Sequence, residues 1–529
     1  MKNLFAAIVV VFCLFLAVNP GYTATTEFTI LHTSDIHAHV LPVDSGDGSS
    51  CGGYARIKAY KDALEAEGRE VLIFSSGDVF QGTFFYKFFQ GIPEIVFMNE
   101  TGYSAMTLGN HEFDGGQAAL AEAINYAEFP VLAANIQFKK IPELQAHIKP
   151  WVMIEAGNEK QPVKIGVIGL TVENLHEIVP SVFVNDLDVV DAAQTLRRYI
   201  PEVKEAGADM ILVLAHLGWD RELELFEQFP EVDGFLGGHT HLEISPPAVV
   251  EGEKGHRFIS QPGEWGKGVT RYDISFNPSG NKRLLVDAAA LVPMNAEISE
   301  DASIKEKSEA LWQQIQVKVN IPIGKTEVFL NGERSAIRNG ETNLGNLVAD
   351  CIADVTAADM ALINGGGIRS SVATGTVTIG DCLNVLPFDN YLMKLELTGA
   401  DLVRVFEQVR AAITAEAGFG GFLQVSRGLE VKYYQNLVVV SFDGQPIDPQ
   451  KTYIVATNDF LAGGGNGLTA FQNSSQSEST GVLAADAFIR YVKEMKHLNP
   501  QVEGRIKINL TLPKHKLPGK ILKNIPKSF

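Results

Sequence analysis

Five times in the first half of the sequence an apolar run breaks into a short loop of Asp, His, Asn and Gly. That repetition limits the possible folds more than any other feature. Phe28 to Leu31 leads through His32-Thr33-Ser34 into Asp35-Ile36-His37, and Val71 to Phe74 leads to Gly77-Asp78. Ser104 to Leu108 leads to Gly109-Asn110-His111-Glu112-Phe113-Asp114, Met210 to Ala215 stops at His216, and Phe235-Leu236 stops at Gly237-Gly238-His239-Thr240-His241. A short apolar run closed by such a loop reads as a buried strand. Loops at the carboxyl ends of adjacent strands share one edge of a sheet, so five separate segments can deliver their polar side chains to one place. Tyr54 to Ala66, Gln117 to Tyr126 and Asp191 to Lys204 read as helices, and Val131 to Ala134 and Lys164 to Leu170 as further strands. The alternation is that of an α/β domain over residues 27–296.

The side chains so gathered have a common chemistry. Asp, Asn and neutral His are the oxygen and nitrogen ligands that suit Zn, Mn or a similar divalent ion. Two such ions about 3.5–4 Å apart clamp a phosphoryl group and lower the pKa of a water between them, provided a carboxylate bridges them. The ordered set D-x-H, G-D, G-N-H-E, H and G-H-x-H resembles the metallophosphoesterase signature. Each piece alone is weak, and the set in order, each piece after an apolar run, is specific.

Charge narrows the substrate. A net charge of −19 over 529 residues would repel a nucleic acid polymer over most of the surface, so a small phosphate ester needs a locally positive pocket. The amino-terminal residues 1–24 read as a signal peptide: Lys2 opens it, and Leu4 to Val18 is an apolar core shorter than the ~20 residues that span a bilayer. The mature protein is therefore expected to be periplasmic or secreted, with no stable membrane insertion once the signal is removed. Its remaining cysteines are Cys51, Cys351 and Cys382. Cys351 and Cys382 could bridge in an oxidising compartment or stay as two buried thiols.

The second half has its own logic. Glu297 to Val319 carries Ile304, Leu311, Trp312 and Ile315 at helical spacing, and Pro322-Ile323-Gly324 ends it, so 297–324 reads as a connecting helix and hinge. Ala358 to Ile363 is a strand entering Asn364-Gly365-Gly366-Gly367-Ile368-Arg369, and Tyr453 to Thr457 is a strand entering Asn458-Asp459-Phe460 and the glycine-rich stretch through Gly467. Thr398 and Asp401 open a helix through Val409. Absent side chains in both glycine-rich loops let a ligand approach the backbone, while Arg334, Arg338 and Arg369 could fork onto phosphate oxygens. The Lys-rich stretch 511–529 reads as a solvated basic tail.

Taken together, the two halves resemble the 5′-nucleotidase family, which includes UDP-sugar hydrolases and 2′,3′-cyclic-nucleotide phosphodiesterases. The resemblance covers Phe28 to Lys507. It implies a four-layer αββα metallophosphoesterase domain, two stacked sheets flanked by helices, joined by the linker helix to a second α/β substrate-binding domain at 325–510. Family members swing these domains between open and closed forms. Carried over by position, the resemblance implies that Asp35, His37, Asp78 and His241 bind one metal and that Asp78, Asn110, His216 and His239 bind the other. It makes His111, oriented by Asp114, the group that stabilises the phosphoryl transition state. It places Arg334, Arg338, Asn364 and Arg369 on phosphate and Phe388 and Phe460 on either face of a base. Asn466 stands where relatives often carry Asp for the ribose, so ribose recognition lacks a charge here. His39 and the other histidines outside these motifs are expected to be capping, core or surface residues, and Glu112 to support the helix start after its loop.

The expected activity is hydrolysis of nucleoside 5′-phosphates, with cyclic-nucleotide or UDP-sugar hydrolysis as the alternative. A nucleotide-binding protein without chemistry is the rival from another class, and the complete ligand set argues against it.

Overall fold

The structure is a computed structural model that describes residues 25–44, 49–139, 141–157, 162–280, 282–415 and 418–510. The signal segment 1–24 and the basic tail 511–529 lie outside the described residues.

The expected strands form, and most of those that carry polar loops run parallel. In the first half these are β1 (Thr26–Thr33), β2 (Val71–Ser75), β3 (Ala105–Thr107), β4 (Val163–Thr171), β5 (Met210–His216) and β6 (Gly234–Leu236), followed by β7 (Gly255–Ser260), β8 (Gly268–Phe276) and β9 (Leu284–Pro293). β1 pairs parallel with β2, and β2 with β3; across the fold β4, β5, β6 and β7 are parallel in that order. Parallel pairing puts the ends of β1, β2 and β3 on one edge, and those of β5 and β6 likewise.

The two stacked sheets are not separate. One 13-stranded sheet has a path that includes β3, β2, β1, β8, β9, β7, β6, β5 and β4 in that order, and its two halves meet at the single pair Gly255 and Leu284. Strands this many curl back under accumulated twist, and the halves close on each other over a common core. Phe28, Ile30, Phe74, Val167, Leu212, Leu214, Phe258 and Tyr272 fill that core. Each such side chain contributes about 1.5–3 kcal/mol by leaving water. Helices cover the outer faces: Leu196, Ile200, Leu225 and Phe226 pack on one, and Tyr54, Ile57, Phe97 and Leu120 on the other.

Two helices of the first half bear on the site, α1 (Phe84–Phe89) and α2 (Trp219–Gln228), and α3 (Ala302–Val319) leads out of it. α3 starts five residues later than its apolar spacing suggests, because the Asp301 side chain accepts from Ile304 N and caps it there. It ends at Val319, as expected, and Pro322 to Gly324 then open a strand, Pro322–Thr326, paired with Gly375–Thr378 and His497–Leu498. Pro is tolerated as the first residue of a strand. Among the described residues no strand of the second half pairs with one of the first, so the chain crosses once, along α3. Trp312 of α3 stacks on Phe84 and Phe85 of α1 with ring centroids 6.3 and 6.2 Å apart. One apolar cluster runs on from there through Ile337 and Leu344 into the second half. The helix that opens near Thr398 reaches Ala415 rather than Val409. Cys351 and Cys382 are buried thiols, and Cys51 also forms no disulfide. No helix among the described residues is long and apolar enough to cross a membrane.

Candidate metal centre and substrate cleft

The loops after β1, β2, β3, β5 and β6 converge. Three groups of potential ligand atoms each fit within 4.8 Å: Asp35, His37 and His241; His37, Asp78 and His111; and Asp78, His216 and His239. Asp78 stands in two of the three, as a bridging carboxylate must. The loops are threaded against one another by backbone bonds from Asp35 N to Gly77 O (3.0 Å), His37 N to Asp78 O (2.9 Å) and Ala38 N to Val79 O (2.8 Å).

Local backbone strain aims the side chains. Asp35, His37, Asp78, His239 and His241 all have φ between 49° and 77°, the left-handed region that L-residues seldom occupy. Such strain costs of the order of 1–3 kcal/mol per residue and persists only where surroundings over-determine it. Gly109 shows how tight the surroundings are: a Cβ there would lie 2.2 Å from Asp78 Oδ1.

Several donor atoms have no protein partner that would explain their burial. Asn110 Oδ1 is buried without a hydrogen bond, and so is His216 Nε2, although the latter lies 3.0 Å from Asp78 Oδ2. That proximity lacks hydrogen-bond alignment, as expected of two ligands that face a common cation. His37 Nε2 and His241 Nε2 are 3.0 Å apart, and His241 Nε2 is 3.3 Å from Asp35 Oδ1. The far nitrogens are anchored: His216 Nδ1 donates to Ser76 O (2.7 Å), His37 Nδ1 to Gln81 O (3.2 Å) and His241 Nδ1 to Glu264 Oε2 (2.5 Å). Such outer partners fix which nitrogen is offered to a metal. The donor set therefore fits divalent cations.

Electrostatics agree. Burial opposes ionisation of Asp78, yet the imidazoles of His216 and His111 hold its carboxyl well below the usual range. Burial likewise opposes a charge on His216, but Asp78 overrides it and pushes the imidazole up to about 10. His241 is pushed up to about 9 against burial by hydrogen bonds to Asp35 and Glu264, whereas burial lowers His37 to about 3 and His239 to about 4. A cation seated here would need the coordinating nitrogen of each imidazole free of its proton.

His111 stands beside this centre. Its Nδ1 lies 2.6 Å from Asp114 Oδ2, and its backbone N donates to Asp78 Oδ1 at 2.9 Å. Burial works against its charge, but Asp114 and Asp78 raise its pKa above the ordinary value.

A cavity of about 820 Å³ opens over the centre. His37, His111, His241, Phe84 and Trp312 line one wall, and Arg334, Arg338, Arg369 and Phe388 line the other. Phe388 lies parallel to His111 at 6.4 Å between centroids, with the Arg369 guanidinium 5.8 Å from its ring centre. Lys87 pairs with Asp389 across the same gap. The remaining residues expected to read the nucleotide are not on this cavity's wall. Asn364 is buried, accepts from Asn458 Nδ2 (3.1 Å) and donates to Asn466 Oδ1 (3.4 Å), while Phe460 packs flat against Gly465. The seven expected substrate contacts thus fall into two groups. Gly420 joins them, since a Cβ there would lie 3.5 Å from Asn466 Nδ2 and 3.8 Å from Arg338 Nη1.

Three contributors escaped the sequence reading. Glu112, expected to support a helix start, instead clamps two metal-bearing loops. Its carboxylate accepts from Asp78 N (3.0 Å), Val79 N (2.7 Å), Phe80 N (3.1 Å) and Gly109 N (2.5 Å). Burial, with the charge of Asp78 next, pushes it up to about 7. Glu264 anchors His241, as above. His39 stacks on Trp265 at 4.5 Å on the cavity rim, where its residue type alone gave no signal.

Comparison with known proteins accords with this geometry. A family model for the calcineurin-like phosphoesterase matches residues 28–243, and one for the 5′-nucleotidase C-terminal domain matches residues 322–473. The snake venom 5′-nucleotidase of Gloydius brevicauda is 32% identical over 94% of this chain and 90% of its own length. The trifunctional nucleotide phosphoesterase protein YfkN of Bacillus subtilis is 30% identical over 92% of this chain, a match that spans 35% of that longer protein. The crystal structure of a 5′-nucleotidase precursor from Thermus thermophilus superposes with a TM-score of 0.79 at 33% identity, covering 92% of this chain and all of that one. Fold and site define a metal-dependent phosphoric ester hydrolase. The chain belongs to the 5′-nucleotidase family.

Proposed function

We propose that this enzyme is periplasmic or secreted, uses two divalent ions and cleaves nucleoside 5′-phosphates to nucleoside and phosphate. One observation carries the reading: the ligand cluster around Asp78, with His111 at its edge, opens directly onto a cleft whose facing wall holds Arg334, Arg338 and Arg369. Asp35, His37, Asp78 and His241 would hold one ion, and Asp78, Asn110, His216 and His239 the other. The pair of ions would supply Lewis acidity and an activated water for attack on phosphorus.

The chain's own residues do the rest. The arginine forks hold non-bridging phosphate oxygens and fix the ester in line for attack. Asp114 accepts from His111 Nδ1 and, with Asp78, raises the pKa of the ring, so the charged imidazolium carries its second proton on Nε2. There it stabilises charge on a phosphoryl oxygen or protonates the departing alkoxide. Phe388 and Phe460 stack the base, with Asn364 and Asn466 beside the sugar and phosphate. Because the proposed ligands precede 297–324 and the proposed substrate contacts follow it, a nucleotide would draw the two halves together by movement about 297–324. The second reading, UDP-sugar or 2′,3′-cyclic-nucleotide hydrolysis, is favoured by the uncharged Asn466 and by a cavity larger than a mononucleotide needs.

Phosphate release from AMP, UDP-glucose and 2′,3′-cyclic AMP, each with and without chelator, tests the proposal. The expected order places AMP first and abolishes all three with chelator. Chelator-resistant turnover would remove the ligand assignment, and a preference for either other substrate would install the second reading.

A further inference from the structure

Glu222 is wholly buried in the first turn of α2, yet it reaches well beyond its own helix. Its Oε1 accepts from Leu217 N (3.2 Å) and Gly218 N (3.1 Å), the residues directly after His216. The same oxygen accepts from Gly238 N (3.0 Å), directly before His239. Its Oε2 accepts from Gln261 Nε2 (2.7 Å). Gln261 in turn donates to Gly238 O (2.7 Å) and accepts from Thr240 Oγ1 (2.6 Å) and Leu242 N (3.4 Å), so it brackets the segment that carries His239 and His241. The backbone is shaped around this carboxylate, since a Cβ on Gly237 would lie 2.0 Å from Oε2.

We infer that Glu222 is a positioning residue for the metal centre, fixing His216 against His239 directly and against His241 through Gln261. The inference rests on the ligand set proposed above. It makes Glu222 the counterpart of Glu112: one carboxylate joins the Asp78 and Asn110 loops, and the other joins the His216 and His239–His241 loops. A helix cap would need only the bonds to Leu217 and Gly218. The bonds to Gly238 and Gln261 add nothing to α2, but they set the separation of ligands that arrive on two different strands. Outer partners of this kind typically govern metal affinity by about 10–100-fold.

The test uses the full-length protein with Glu222→Ala, Glu222→Gln and Gln261→Met. Metal content is measured after dialysis against graded chelator, thermal midpoints are taken with and without added Mn²⁺, and kcat and KM are measured for AMP. Glu222→Ala is expected to weaken metal retention about 10–100-fold. It should shrink the Mn²⁺-induced rise in midpoint and lower kcat at limiting metal while KM for AMP stays within about twofold, because the arginine wall is untouched. Glu222→Gln keeps an acceptor for the three backbone N–H groups and should fall between Ala and wild type. Gln261→Met leaves the α2 cap intact and should still weaken metal retention. Wild-type metal retention in both Glu222→Ala and Gln261→Met would reduce Glu222 to a helix cap and overturn the inference. If Glu222→Ala does not fold, Glu222→Gln and Gln261→Met decide the matter by the same readouts. A wild-type protein that retains no metal would instead overturn the ligand set itself.

Discussion

Behind the first-half wall of the cleft Asp35, Asp78 and His216 are almost wholly buried; Asp35 and Asp78 occupy left-handed backbone on loops bonded to one another, and His216 ends β5. On the opposite wall Arg334 and Arg369 are exposed, Phe388 is half-buried, and Asn364, Phe460 and Asn466 stand off behind Gly420. The first wall is held by its own hydrogen bonds, since Glu112 and Glu222 each accept from the backbone of two of its loops. The second is divided, with Arg334, Arg338, Arg369 and Phe388 on the cavity and Asn364, Phe460 and Asn466 off it. Substitutions on the first wall should therefore behave as all or none, and those on the second should be graded.

The hardest test of that contrast is Asp78→Asn. With the shared carboxylate gone, metal content should fall at both positions and kcat/KM for AMP should drop by more than about 10³-fold, the equivalent of several kcal/mol. Two metals per chain with near-normal turnover would dissolve the contrast. His111→Ala comes next: kcat should fall ~10²–10⁴-fold with metals still bound. Loss of metal at an unchanged rate per metal would make His111 a ligand instead.

The second wall predicts smaller numbers. Phe388→Ala and Phe460→Ala should each weaken AMP recognition by about 1–3 kcal/mol and leave hydrolysis of a small aryl phosphate unaltered. The informative measurement is the ratio of kcat/KM for the two substrates, and a constant ratio would show that the second half does not read the nucleotide.

A further effect concerns stability rather than turnover. Glu94 is buried on the first side with neither carboxylate oxygen hydrogen-bonded, and burial pushes its pKa up to about 8 from 4.5. Because the folded value is the higher one, its contribution is intact below about pH 4.5 and is lost as pH rises through 8. The free energy of unfolding should decline over that interval by an amount of the order of a few kcal/mol, and Glu94→Gln should flatten the decline. An unchanged slope in the variant would assign the decline to other groups.

How much of this could be read from residues alone follows from sequence distance. The ligand-bearing loops were legible because each is a local event, an apolar run closed by Gly and then Asp, His or Asn. Glu112, Glu222 and Glu264 were not, since each acts on a backbone or ring brought near only by the closed sheets. A Glu at the start of a helix looks the same whether it caps that helix or reaches across to Gly238. That Pro322 to Gly324 also open a strand was hidden for a related reason: their partners, Thr378 and Val377, come from a distant part of the chain. In the second half the glycine-rich loops were visible, but the approach of Arg338 and Asn466 to Gly420 depends on the stretch around Phe419 to Gly421, which carries no polar signal.

The solitary crossing along α3 has a genetic corollary. Every proposed metal ligand is encoded upstream of it and every proposed substrate contact downstream, with no sheet shared between the two halves among the described residues. A single recombination event inside the codons for Ala302 to Val319 could therefore exchange one recognition unit for another and leave the catalytic half intact. The register of Trp312 on Phe84 and Phe85 marks what such a hybrid would have to keep.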